Sequence, residues 1–200
     1  MRALRTAAVA AVMSFLLLAA APARTGTGTN LYATATAPLY ADPAGHKTEG
    51  SLTPGTAVAT TGPAAQALVP VAVEGWSQEG DASTVFAAPG QRIVLAELAS
   101  GTPAPKVLAT RKDAYDNVWN QVKITGFVAA TALVADQNTV WAQAQKLYST
   151  RCSACHALHN PNEFTANQWP KILGTMAKNA ALQPAEAALV TQYLQTHAKQ

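Results

Sequence analysis

Both cysteines of this 200-residue chain lie three positions apart, at Cys152 and Cys155, and His156 follows directly. A disulfide across so short a loop would add little stability. No disulfide framework is therefore available, and an apolar core must hold the fold. The composition can supply one, with 49% hydrophobic and 12% charged residues.

The order Cys152-Ser-Ala-Cys155-His156 is the c-type haem attachment sequence. Two thiols add across the two vinyl groups of haem as thioethers, and the two-residue gap lets both sulfurs reach one edge of the macrocycle. The histidine after them is placed to give the iron an axial nitrogen. A thioredoxin-like pair would need a βαβ context, which is missing. A zinc site would need a fourth ligand, which His159 or His197 could offer, but no second pair has metal-ligand spacing. Haem iron in electron carriers is usually six-coordinate, with His plus Met or His plus His. Met1 and Met13 fall in a leader segment, so Met176 is the candidate thioether ligand. Its spacing also fits simple core packing. His197 and an open distal position are the alternatives.

The leader is read from Arg2 and Arg5, an apolar run over 7–20, and the small-x-small site Ala21-Pro22-Ala23. A signal peptide over 1–23 is expected, with a soluble mature protein in the periplasm. No later apolar run is long enough to span a bilayer. Without Arg2 and Arg5 the chain has 12 basic and 11 acidic residues. That balance argues against nucleic acid or an anionic membrane as partner. Residues 24–136 carry 7 basic and 9 acidic residues, whereas 137–200 carry 5 and 2.

The pattern changes near Asp136. Before it, short β-type runs at 37–40, 57–61, 68–73, 92–98, 107–110, 119–124 and 127–128 alternate with Gly, Pro and Asp turns. Two runs look alike, Val71-Ala-Val-Glu-Gly-Trp76 and Val122-Lys-Ile-Thr-Gly-Phe127. Together with Leu52-Thr-Pro-Gly-Thr-Ala-Val58 they resemble bacterial SH3-like domains, which implies a small β-barrel over 31–135. After Asp136 the apolar spacing becomes helical. Val140, Trp141, Ala144, Leu147 and Tyr148 share a face; Trp169, Ile172, Leu173 and Met176 follow at i, i+3, i+4, i+7; Leu189, Val190, Tyr193 and Leu194 form a third stripe after Pro184. The expected fold class is α+β: a small SH3-like β-barrel domain, then an all-α class I-like mono-haem cytochrome c domain over 137–200.

The stretch Tyr148-Ser-Thr-Arg-Cys-Ser-Ala-Cys-His-Ala-Leu-His-Asn-Pro-Asn-Glu-Phe-Thr-Ala-Asn-Gln-Trp169, with Met176 and Tyr193-Leu194 beyond it, resembles the C-terminal mono-haem domain of the pentahaem c-type cytochromes that serve trimethylamine-N-oxide reductase. The resemblance implies a final carrier that hands electrons to a periplasmic molybdenum S- or N-oxide reductase. That family also has a membrane-anchored tetrahaem module, and here a leader stands in its place. A separate quinol-linked multihaem cytochrome would then supply the electrons.

These features point to a single-electron carrier with one covalent haem c and no catalytic constellation of its own. Two rival readings are a haem sensor or small-ligand binder, and a cytochrome subunit that accepts electrons from a molybdenum dehydrogenase.

Overall fold

The computed structural model describes residues 29–199, so the leader expected over 1–23 lies outside the described residues. Ten strands come first: β1 (Asn30–Ala33), β2 (Ala37–Tyr40), β3 (Thr48–Leu52), β4 (Ala57–Thr60), β5 (Leu68–Gln78), β6 (Thr84–Ala88), β7 (Gln91–Leu98), β8 (Lys106–Lys112), β9 (Val118–Ala129) and β10 (Leu133–Val134). Three helices follow: α1 (Gln137–Cys152), α2 (Trp169–Met176) and α3 (Pro184–Thr196). None of these helices is long and apolar enough to cross a membrane.

All ten strands join one antiparallel sheet in the order β10-β1-β4-β5-β6-β7-β3-β2-β9-β8. β5 and β9 also pair with each other, from Leu68↔Ala129 to Gln78↔Trp119, which folds the sheet back on itself. The two look-alike segments are thus partners: Val71 faces Gly126, and Gly75 faces Val122. Their glycines are where a third strand crosses closely. A Cβ on Gly75 would lie 2.6 Å from Val85 Cγ1 and 2.7 Å from Phe86 O on β6. A Cβ on Gly126 would lie 2.7 Å from Leu39 Cδ1 and 2.8 Å from Tyr40 O on β2. Alternate residues of these strands, among them Leu39, Leu52, Val71, Val85, Val122 and Val128, fill the space within.

The expected fold class does not hold. The strands form one large sheet, not a minimal SH3-like barrel, because β6, β7 and β8 occupy the long region between the two Gly-aromatic segments. The helices are not a free-standing all-α cytochrome domain either. Their apolar stripes bury Tyr148, Trp169, Leu173, Val190 and Leu194, and Ile93 of β7 belongs to the same cluster. A helix stripe must be covered by some neighbour, and part of that cover here is the sheet.

A polar seam completes the contact. Gln192 Nε2 donates to Val94 O at 2.8 Å. Gln195 Nε2 donates to Arg92 O and to Ala166 O, both at 2.9 Å. Asn167 donates to Gly90 O and accepts from the Arg92 amide. Gln192 and Gln195 are buried, and their amides find carbonyl partners across the seam. Farther along, Gln137 Nε2 donates to Gly55 O at 3.0 Å, and the Trp141 ring lies where a side chain on Gly55 would stand.

Candidate haem-attachment site

The attachment sequence begins on the last turn of a helix. Asp136 caps α1, accepting from the Asn138 amide at 2.9 Å. The buried positions Val140, Ala144, Tyr148 and Cys152 recur every four residues, so Cys152 is the end of the stripe that faces the core. Ser153 keeps helical dihedrals, the chain then turns, and Cys155 and His156 come out exposed. Both cysteines are free thiols. Burial, and then the Cys155 thiol beside it, push the Cys152 thiol above its ordinary range.

His156 is oriented by its own backbone neighbour. Its Nδ1 lies 2.6 Å from Ala157 O. A carbonyl can only accept, so Nδ1 carries the proton and Nε2 keeps its lone pair free. This is how a metal-binding histidine is usually prepared: the hydrogen bond at one nitrogen fixes the tautomer that ligates through the other. Two free thiols and one imidazole nitrogen in this order suit a covalently held haem.

The segment after the motif has little regular structure and is held by side chains. The Tyr148 hydroxyl donates to His159 O at 2.8 Å, and Trp169 Nε1 donates to Pro161 O at 2.8 Å. Burial, and then the Cys152 thiolate, push the Tyr148 hydroxyl up to about 12, which keeps it a donor. The His159 ring sits 3.0 Å from a Glu163 carboxylate oxygen. Successive rings touch edge to face: His156–His159 at 5.4 Å, His159–Phe164 at 5.3 Å and Phe164–Trp169 at 5.1 Å between centroids. Trp169 is fully buried, so this run joins the exposed motif to the core. The sequence marks His159 and Trp169 as neighbours of the motif, but the ring contacts between them are a tertiary result.

Met176 is the last residue of α2 and is half-buried. His197 follows α3, with Nδ1 2.7 Å from Tyr193 O and its ring against Tyr193 and Trp141. A cleft of about 800 Å³ lies elsewhere, along the seam, between residues such as Phe86, Arg92, Trp119 and Gln195. None of the four candidate haem-binding residues lines it.

The family described as "TorC third cytochrome c domain" matches residues 25–133, and "Dihaem cytochrome c" matches residues 148–200. The first match covers the sheet and contains no cysteine, whereas the second contains a single Cys-x-x-Cys-His. Cytochrome c-type protein TorY of Escherichia coli O157:H7 is 34% identical over 131 residues, which cover 64% of this chain and 36% of that protein. TorY of Haemophilus influenzae is 31% identical over 129 residues, covering 64% and 35%. Cytochrome c-type protein TorC of Escherichia coli K12 is 27% identical over 175 residues, covering 86% and 45%. The chain thus spans less than half the length of the curated relatives it matches. No solved structure matches it. A match over more than half the chain, on the sheet, and a second over the attachment sequence lead to one conclusion: the chain belongs to the TorC/TorY-like family of c-type cytochromes.

Proposed function

We propose that this chain is a soluble periplasmic electron carrier with one haem c. When bound, the haem supplies a one-electron couple. Cys152 and Cys155 would hold it through thioethers, and His156 Nε2 and Met176 would be the side chains that ligate its iron. The observation that carries this reading is the His156–Ala157 contact of 2.6 Å, which leaves Nε2 free directly after two free thiols. Burial of Cys152 at the end of α1 supports a fixed first anchor. Export ahead of haem attachment is supported by the leader pattern over 1–23.

The chain divides by role into a β-unit over 31–135 and a haem unit over 137–200. The β-unit orients the haem unit through the seam bonds of Gln192, Gln195 and Asn167. The partner that receives electrons is a periplasmic molybdenum S- or N-oxide reductase, and a quinol-linked multihaem cytochrome supplies them. This assignment rests on the resemblance of 148–169 to the carriers of that system.

The test is made on the purified full chain. Acid–acetone extraction should leave one haem per chain attached, read as the pyridine haemochrome. The ferric spectrum should carry a charge-transfer band near its red end, and Met176→Leu should remove it. Haem that extracts freely would sink the attachment. A wild-type spectrum without the band would sink the Met176 ligand.

A further inference from the structure

One edge of the sheet is open. β8 pairs with β9 and with no other strand among the described residues, and all seven of its residues are exposed. Four large hydrophobic side chains stand exposed among the described residues. Three of them are on this hairpin: Val107 at 52%, Leu108 at 42% and, at its tip, Tyr115 at 85%.

The direction of the free backbone groups follows from the turn. The Asp113 amide donates to Asn117 O at 3.0 Å. Hydrogen-bonded and non-bonded pairs alternate along an antiparallel ladder. Arg111↔Trp119 and Ala109↔Gln121 are therefore the bonded pairs, and Thr110 and Lys112 turn their N–H and C=O away from β9. The Thr110 hydroxyl, 2.8 Å from Asn120 Oδ1, fits the closer side chains of a non-bonded pair.

β8 carries Lys106, Arg111 and Lys112 and no acidic residue. Lys123 lies opposite Lys106. Neighbouring charges are engaged locally: Lys112 with Asp116 at 3.3 Å, Lys123 with Glu74 at 3.3 Å, and Asp113 with Asn117 and Trp119. A second copy is a poor occupant of this edge. A second copy would bring a further Lys106, Arg111 and Lys112 to the seam with no acidic residue between them, and like charges across a ladder are destabilising. The bulge between Val107 and Ala109 guards the edge in the same way. The charge does not oppose an acidic strand, and the register is regular from Ala109 to Lys112, beyond the bulge.

We propose that β8 is the docking edge for an extended acidic segment of a partner protein. The segment adds as an eleventh strand, with main-chain bonds to Thr110 and Lys112, carboxylates on the face shared by Lys106 and Arg111, and apolar residues on the opposite face beside Val107.

The experiment uses the haem-loaded full chain and two probes, a short blocked peptide of alternating Glu and Val and the same peptide with Lys for Glu. The acidic peptide should bind about tenfold tighter or better and should weaken with added salt. It should slow hydrogen exchange at the Thr110 and Lys112 amides. Thr110→Pro removes one outward donor and should weaken the peptide about tenfold, since proline is tolerated where an edge N–H faces solvent. Retained protection at Ala109 and Arg111 shows that the hairpin is intact in that variant. Equal binding of the two peptides, or protection away from β8, overturns the proposal. So does concentration-dependent protection of Thr110 and Lys112 without peptide, which would make the edge a self-pairing surface.

Discussion

The sheet and the segment around the attachment sequence are held in opposite ways. In the sheet, β5 and β9 pair over eleven residues, and apolar side chains such as Val71, Val122 and Val128 close the interior. From Ser153 to Gln168 the backbone has one short 3₁₀ turn and depends on side chains reaching its carbonyls, as Tyr148 and Trp169 do. The first region supplies its own core. The second surrounds the attachment motif, and on the proposed function a haem held there would join its packing. Sheet and helices should therefore respond differently to loss of that group.

The largest effect tests this directly. Cys152→Ala with Cys155→Ala should abolish covalent haem. Amide exchange should then speed up through α1, α2 and the 153–168 segment, while β5 and β9 keep their protection. Equal loosening of both regions would break the contrast. A complementary change strikes the sheet alone. Gly75→Val forces a side chain into Val85 and the Phe86 carbonyl. It should cost about 3 kcal/mol, the upper range for overpacking, in denaturant unfolding, and haem content per folded chain should not change. The third change lies at the seam, where the two regions meet. Gln195→Leu leaves the carbonyls of Arg92 and Ala166 without their donor. About 2 kcal/mol should be lost, the usual penalty for a buried unpaired polar group. The slow-exchanging amides of α3 and β7 should lose protection together.

Much of the helical part was readable from spacing. The stripe of Trp169, Ile172, Leu173 and Met176 marks α2 at its observed bounds, and Pro184 with Glu186 marks the start of α3, where the Gln183 amide donates to Glu186 Oε2 at 2.8 Å. These are local signals, carried by residues three or four apart. β3 shows the opposite case. Thr48-Glu-Gly-Ser-Leu52 has no β-branched run, and it is a strand because β2 and β7 pair with it on both sides. β1 and β6 were likewise invisible. The resemblance of 71–76 to 122–127 was plain, yet nothing local says that the two segments pair with each other. The all-α expectation failed for the same reason. Ile93, Gln192 and Gln195 join helices to sheet across about a hundred residues of sequence, and periodicity carries no information at that range. The motif was legible because covalent chemistry requires its members to be adjacent. The orientation of the His156 ring was not.

The smallest effect refines the contrast within the sheet. The β8–β9 turn is organised by one carboxylate. Asp113 accepts from the Asn117 side chain, from Trp119 Nε1 at 2.9 Å, and from the Tyr115 and Asn117 amides. The Asn117 side chain first, and then Trp119, hold its pKa down to about 2, below an ordinary 3.8. A folded pKa below the unfolded one means that the charged form is favoured by folding. The contribution is therefore complete above about pH 4 and fades as pH falls through about 2. The Trp119 indole N–H resonance should move over that window. In Asp113→Asn the movement should vanish, with unfolding by denaturant otherwise little changed, because this carboxylate lies at the surface. A titration that stays centred near pH 4 would mean that the side-chain bonds to Asn117 and Trp119 do not persist in solution. The turn would then be held by backbone alone, and dependence on side chains would be confined to the attachment segment.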